Sequence, residues 1–228
     1  MRSAKHGIRV LGLAVLALLG VGLSGAQAAL PGESTVGTFL ANLGVPTGHV
    51  FTGEQLGNSY LLVQARNLKI ECTGLDVNEG VLNNSTDGKV TVSFLGCLAN
   101  NHKGEMIENC EFKELKTIKV SALLLPILHG EKRFVLFEPL EGTQLAVVSF
   151  KPNQGCVLPL NNPVTGAVVA EVEPELKLEG EQLTLLFSEL IQFLSGDVLK
   201  YGSLSNTSYL NGTADIELAG FNIKLGVH

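Results

Sequence analysis

The chain has no tryptophan, three tyrosines and two methionines, and only 17% of its 228 residues are charged. Flat aromatic platforms are what a sugar-binding groove needs, so their scarcity argues against one. Positive charge is also short, with 16 Lys and Arg against 22 Asp and Glu. An acidic chain offers no electrostatic attraction to nucleic acid or to an anionic membrane surface. Several motifs are missing as well: a C-x-x-C thiol pair, an H-E-x-x-H helix, a G-x-S-x-G elbow and a phosphate-cradling glycine loop. No catalytic residue, cofactor or metal set is expected, and no tandem repeat or low-complexity block interrupts the chain.

What is present begins at the N-terminus. Arg2, Lys5 and Arg9 precede an apolar run over residues 10–23, followed by Ala26-Gln-Ala28. The run is short for a membrane span, and small residues at −3 and −1 suit a signal-peptidase site, so residues 1–28 read as a secretory signal. No cysteine follows that would carry a lipid anchor. Losing three positive charges with the signal takes the net charge from −6 to −9. The mature chain is expected outside the cytoplasm, secreted or in a bacterial cell envelope, with no membrane span. Residues 29–58 would form an N-terminal arm or first strand, and 59–228 one β-domain.

That domain is expected to be all-β, a single antiparallel sandwich or barrel. Val90, Val92 and Phe94 alternate with Lys89, Thr91 and Ser93, and Ala214, Ile216 and Leu218 alternate with Asp215 and Glu217. Period 2 with β-branched and aromatic residues marks half-buried strands. Further strands are expected over 60–65, 68–72, 77–82, 116–125, 133–138, 145–150, 164–172, 183–187 and 221–225. Asp87-Gly88 closes a polar loop and signals a hairpin. Residues 183–194 (LTLLFSELIQFL) also show helical spacing, but Gly180 and Gly196 and the β-rich context favour strand followed by strand.

Four cysteines follow the signal: Cys72, Cys97, Cys110 and Cys156. In an exported chain they are expected to form two disulfides. Cys97–Cys110 would close the polar loop GCLANNHKGEMIENC, leaving Cys72–Cys156 to join distant strands. The rival is Cys72–Cys97, nearly opposite across the hairpin. Cys97-x4-His102-x7-Cys110 could be taken for a metal set, but it lacks the tight pairs of structural zinc sites.

Other candidates have plain structural explanations. Asp76-Val-Asn-Glu-Gly80 looks like a calcium loop but lacks its glycine at position 6 and glutamate at position 12. His49, His102, His129 and His228 are isolated. Ser203 and Ser205 sit in a polar turn, where hydroxyls bond local backbone. Glu171, Glu173 and Glu175 could supply a carboxylate pair, yet Val168, Ala170 and Val172 mark the opposite face as the buried one. The sequons at Asn83, Asn84, Asn206 and Asn211 matter only on a eukaryotic secretory route.

Ile70-Glu-Cys72-x-Gly74 followed by Val90-Thr-Val-Ser-Phe94-Leu-Gly-Cys97 resembles a group of uncharacterised exported bacterial β-rich proteins. In that group a cysteine strand leads to a TVxFxGC strand, and two further cysteines follow. Leu123-Leu-Leu-Pro126, Phe134-Val-Leu-Phe137 and Gly155-Cys156 through Val164-Thr-Gly166 would fill the later places, so the resemblance spans about residues 47–220. The chain departs from the group in its longer cysteine loop and in Leu123-Leu124-Leu125, where the group carries a glycine-bearing strand. The resemblance implies an exported β-domain on a four-cysteine framework and brings no activity.

Function is expected to be non-enzymatic, structural or in cell-surface interaction. The alternative is a lipocalin-like barrel carrying a small apolar ligand, motivated by leucine-rich runs at 123–128 and 183–194 that exceed what one buried face requires.

Overall fold

The computed structural model describes residues 35–41, 48–114, 117–153, 155–173, 183–196, 198–218 and 225–227. The expected signal over 1–28 lies outside them. In chain order the elements are β1 (Thr35–Val36), β2 (Phe39–Ala41), β3 (His49–Val63), β4 (Leu68–Cys72), β5 (Gly74–Leu82), β6 (Gly88–Leu95), β7 (Leu98–Asn100), β8 (Ile118–His129), β9 (Lys132–Pro139), β10 (Gln144–Ser149), β11 (Asn161–Thr165), β12 (Val168–Glu173), β13 (Leu183–Phe187), α1 (Glu189–Ser195), β14 (Leu199–Tyr201), β15 (Asn206–Leu218) and β16 (Leu225–Val227). The protein is all-β, as its alternation predicts. The anticipated break near residue 58 falls inside β3, which runs on without interruption.

The antiparallel pairings close on themselves. Around the ring the order is β3, β5, β6, β8, β9, β12, β13, β15 and back to β3. A second path from β8 through β10, β11 and β14 reaches β15 lower down. The registers explain both. Pro139 of β9 opposes Ala122 of β8, and Ala146 of β10 opposes Val120, so β9 and β10 lie end to end along one neighbour. By the same reasoning β11 continues into β12, β13 into β14, β4 into β5 and β6 into β7. The wall is therefore eight long strands in up-and-down order, and closure removes the free edges that an open sheet of this size would expose. Between sandwich and barrel, the strands choose the barrel.

Local chemistry sets the connections. In the β5–β6 turn, Asn84 Oδ1 accepts from the backbone N–H groups of Thr86 (2.6 Å) and Asp87 (3.0 Å), while Asn83 Nδ2 donates to Asp87 Oδ1 at 2.6 Å. An asparagine that mimics backbone in a tight turn accounts for this polar cluster. Gly166, between β11 and β12, has φ +95°, and a Cβ there would lie 2.8 Å from the Val198 carbonyl oxygen. Only glycine fits that approach.

Side chains sort by face. Val90, Ala122, Leu124, Val135, Val168, Ala170, Val172, Leu183 and Leu185 belong to one large core cluster inside the ring. Outside, Phe134, Leu136, Ala167 and Val169 form a second, smaller cluster against which Leu125, Ile127 and Ile191 of α1 pack. Strands β9 and β12 are thus buried on both faces, which is why FVLF and VVAEV read as continuous runs rather than alternating ones. Elsewhere Thr52, Glu54, Lys89 and Lys119 point outward and are exposed. The outer face is therefore polar at these positions and apolar around the second cluster. Among the described residues no helix is long and apolar enough to cross a membrane.

Terminal segments close one end. β1 pairs with the last residues of β8, Thr35 opposite Leu128, and the Phe39 N–H donates to the Ser85 carbonyl at 2.6 Å. β2 pairs with β16, and Phe39 and Val227 are buried in the main core.

One expectation fails here. Residues 183–194 are not strand followed by strand, because β13 stops at Phe187 and α1 begins at Glu189. Ser188 caps the helix, its Oγ accepting from the Ile191 N–H at 3.2 Å, and Gly196 ends it in the left-handed region at φ +76°. The glycine taken as a strand boundary is a helix C-cap.

Candidate functional site: the barrel lumen

The strand interiors converge on an apolar cavity of about 110 Å³. Phe51 of β3, Val77 of β5, Val92 and Phe94 of β6, Val120 of β8, Phe137 of β9, Leu185 and Phe187 of β13, and Leu210 of β15 all line it. Alternation places these residues inside, since their immediate neighbours along each strand point outward. Phe137 and Phe187 meet across the lumen with ring centroids 5.4 Å apart and planes tilted by 51°, a favourable aromatic arrangement. Gly80 makes room for Phe51, because a Cβ at residue 80 would fall 2.6 Å from the Phe51 ring.

Polar atoms are sparse at this site. Ser59 reaches the lining. Elsewhere in the wall, Ser208 opposes the lining residue Leu199, and its Oγ and the Tyr201 Oη are both buried with no hydrogen-bond partner among the described residues. Burial pushes the Tyr201 phenol well above its ordinary range, with nearby Arg66 opposing weakly, so it stays a neutral donor. A cavity with these walls offers a charge or a water molecule few hydrogen-bond partners. For scale, an apolar cavity of about 150 Å³ stays dry and binds benzene. This lumen matches small uncharged molecules, below the usual 300–1,000 Å³ of drug-sized pockets.

The wall beside the lumen is interrupted where β13 gives way to β14. β15 pairs with β14 through residues 206–208 and with β13 through residues 212–216, so residues 209–211 have no strand partner on that side. Helix α1 fills the gap. Gln192 is fully buried; its Nε2 donates to the Leu210 carbonyl, and its Oε1 accepts from the Leu210 N–H at 3.0 Å. One side-chain amide thus stands in for a missing strand residue. The Glu189 N–H adds a bond to Asn211 Oδ1 at 3.0 Å. On the outer side Leu190, Phe193 and Leu194 are 64%, 66% and 53% exposed.

The disulfides are Cys72–Cys97 and Cys110–Cys156, which corrects the expected pairing. The ladder decides it. Gly74 opposes Leu95 and Glu71 opposes Leu98, so Cys72 and Cys97 face each other across the composite strands, with Cα atoms 4.0 Å apart. Cys97 and Cys110 end the polar loop but join different partners. The loop is held instead by Asn101, whose Oδ1 accepts from Lys103 N–H (2.9 Å) and Glu105 N–H (3.0 Å), and by the His102 N–H bonded to Asn67 Oδ1. Two disulfides fit an oxidising, extracytoplasmic setting. On loop-entropy grounds they contribute about 3.5 and about 4 kcal/mol.

The remaining candidates are dispersed. Asp76, Asn78 and Gly80 lie on β5, with Asn78 bridging Asp76 (3.1 Å) and Ser93 (2.6 Å). Glu171 faces outward, buried beneath Lys132, whose Nζ lies 2.5 Å from its Oε1; Glu173 is exposed, and Glu175 lies outside the described residues. Ser203 and Ser205 occupy the β14–β15 turn. His49 begins β3, His102 follows β7 and His129 ends β8, and His228 lies outside the described residues. Among the described residues no three of His, Cys, Asp and Glu gather as a metal-binding group. Nothing in the sequence marked Gln192, because an interior glutamine in LIQFL carries no local signal; only the gap in β15 makes it necessary. No family model matches the chain, and no curated protein or solved structure is similar to it.

Proposed function

We propose that this protein is a non-enzymatic, exported β-barrel that binds a small, uncharged, apolar molecule in its lumen. The observation behind this reading is the apolar cavity of about 110 Å³ enclosed by the ring of strands. A barrel evolved only as a rigid spacer gains stability by filling its centre, since each unfilled methyl-sized space costs about 1 kcal/mol. The two disulfides support an extracytoplasmic setting, and the four-cysteine framework supports kinship with the exported proteins it resembles. The purely structural or cell-surface role expected from sequence lacks a feature of comparable specificity.

The test is titration of the purified, oxidised protein with fluorobenzene, followed by fluorine NMR, beside the lumen-filling variant Val120→Phe. Saturable binding by the wild type, weakened at least tenfold in the variant while its melting temperature holds or rises, is the expected result. Absence of saturable binding, or equal binding by both proteins, overturns the proposal.

A further inference from the structure

We infer that ligand enters and leaves the lumen through the gap in the wall covered by α1, with Gln192 as the latch. The inference rests on the lumen being a ligand site, and five features converge on this place. The β15 backbone has no strand partner over residues 209–211 on this side, so no sheet ladder must break for the wall to open. The cover is a seven-residue helix, too short to hold itself together in water, so its order depends on its contacts. Its hydrogen bonds to the gap are few: both polar groups of Leu210 go to the Gln192 amide, and Glu189 N–H goes to Asn211. Leu199 and Leu210, directly behind, belong to the cavity lining. On the outside, Leu190, Phe193 and Leu194 present the apolar surface that such a ligand meets first.

Three other seams of the wall resist opening. Along β6–β8 and β8–β9 every residue of the shared stretch has a register partner, so parting them breaks a continuous ladder. Across β4–β5 and β6–β7 the Cys72–Cys97 bond forbids separation. The helix-covered gap is a weak part of the wall in contact with the cavity, closed by a side chain rather than by a ladder, and local opening draws on weak parts.

Two measurements test this. Fluorine line-shape analysis of fluorobenzene exchange should show association and dissociation both accelerated about tenfold in Gln192→Leu, so that their ratio changes far less than either rate. Hydrogen exchange on the unliganded wild type should show the Leu210 amide exchanging at least tenfold faster than those of Tyr209 and Asn211, which belong to the ladder with β3. Unchanged rates in a folded Gln192→Leu, or Leu210 exchange as slow as its neighbours', overturn the portal. If the wild type binds no probe, the lumen reading fails, and the exchange measurement alone still decides whether α1 opens as a unit.

Discussion

Two interruptions in the same barrel wall are closed by different chemistry. Where β4 meets β5 and β6 meets β7, the strands break opposite one another and a disulfide spans them. Where β13 meets β14, the break faces an unbroken β15, and a helix lays one glutamine amide across it. The first closure is covalent and permanent in an oxidising compartment. The second consists of hydrogen bonds, each worth about 0.5–1.5 kcal/mol net, and it can open and reclose. A wall needs both kinds of closure if it is to stay intact and still admit a ligand.

Removing the covalent closure should have the largest effect. Cys72→Ala with Cys97→Ala is expected to cost about 3.5 kcal/mol and to lower the melting temperature by about 7–14 °C, read by thermal unfolding under non-reducing conditions. Should the pair of substitutions leave the midpoint unmoved, the staple is not what holds this break. Gln192→Leu keeps the volume but strands the Leu210 N–H and carbonyl. Its expected cost is about 2 kcal/mol, measured as a lower urea midpoint at unchanged slope. A neutral result would mean that water substitutes for the amide and that the two breaks differ less than their geometry suggests.

The smallest effect concerns Glu71, one residue from Cys72. Hydrogen bonds from Lys69 and Asn58 hold its carboxyl below the usual value, outweighing partial burial. A depressed folded pKa contributes stability above the unfolded value near 4.5 that is lost as pH falls through the folded value. Because the group is partly solvated, Glu71→Gln should shift the melting temperature at pH 7 by no more than about 2 °C, and the difference should vanish in acid. A difference that persisted at pH 2 would show packing, not charge, to be the cause.

Much of this architecture is legible in local pattern. The alternation over 89–94 and the Asn-rich turn before Gly88 each carry their own signal, because side-chain period and turn chemistry are properties of neighbouring residues; the second buried face of β12 does not, since Glu171 within it reads as solvated. The start of β3 is not legible, since Gly53 and Gly57 interrupt its alternation. Nor is the first half of β15, whose polar Asn206-Thr-Ser208 looks like a turn but is held as strand by β14 and β3.

The amino-acid sequence by itself determined the all-β class, the positions of most strands and four cysteines suited to an oxidising space. Only the tertiary structure decided the pairing of those cysteines, the closure of β15 on β3, the helix between β13 and β14, and the cavity that closure encloses. The physical reason is sequence distance. Register between strands separated by more than 140 residues is set by which faces can be buried together, and no local window contains both partners.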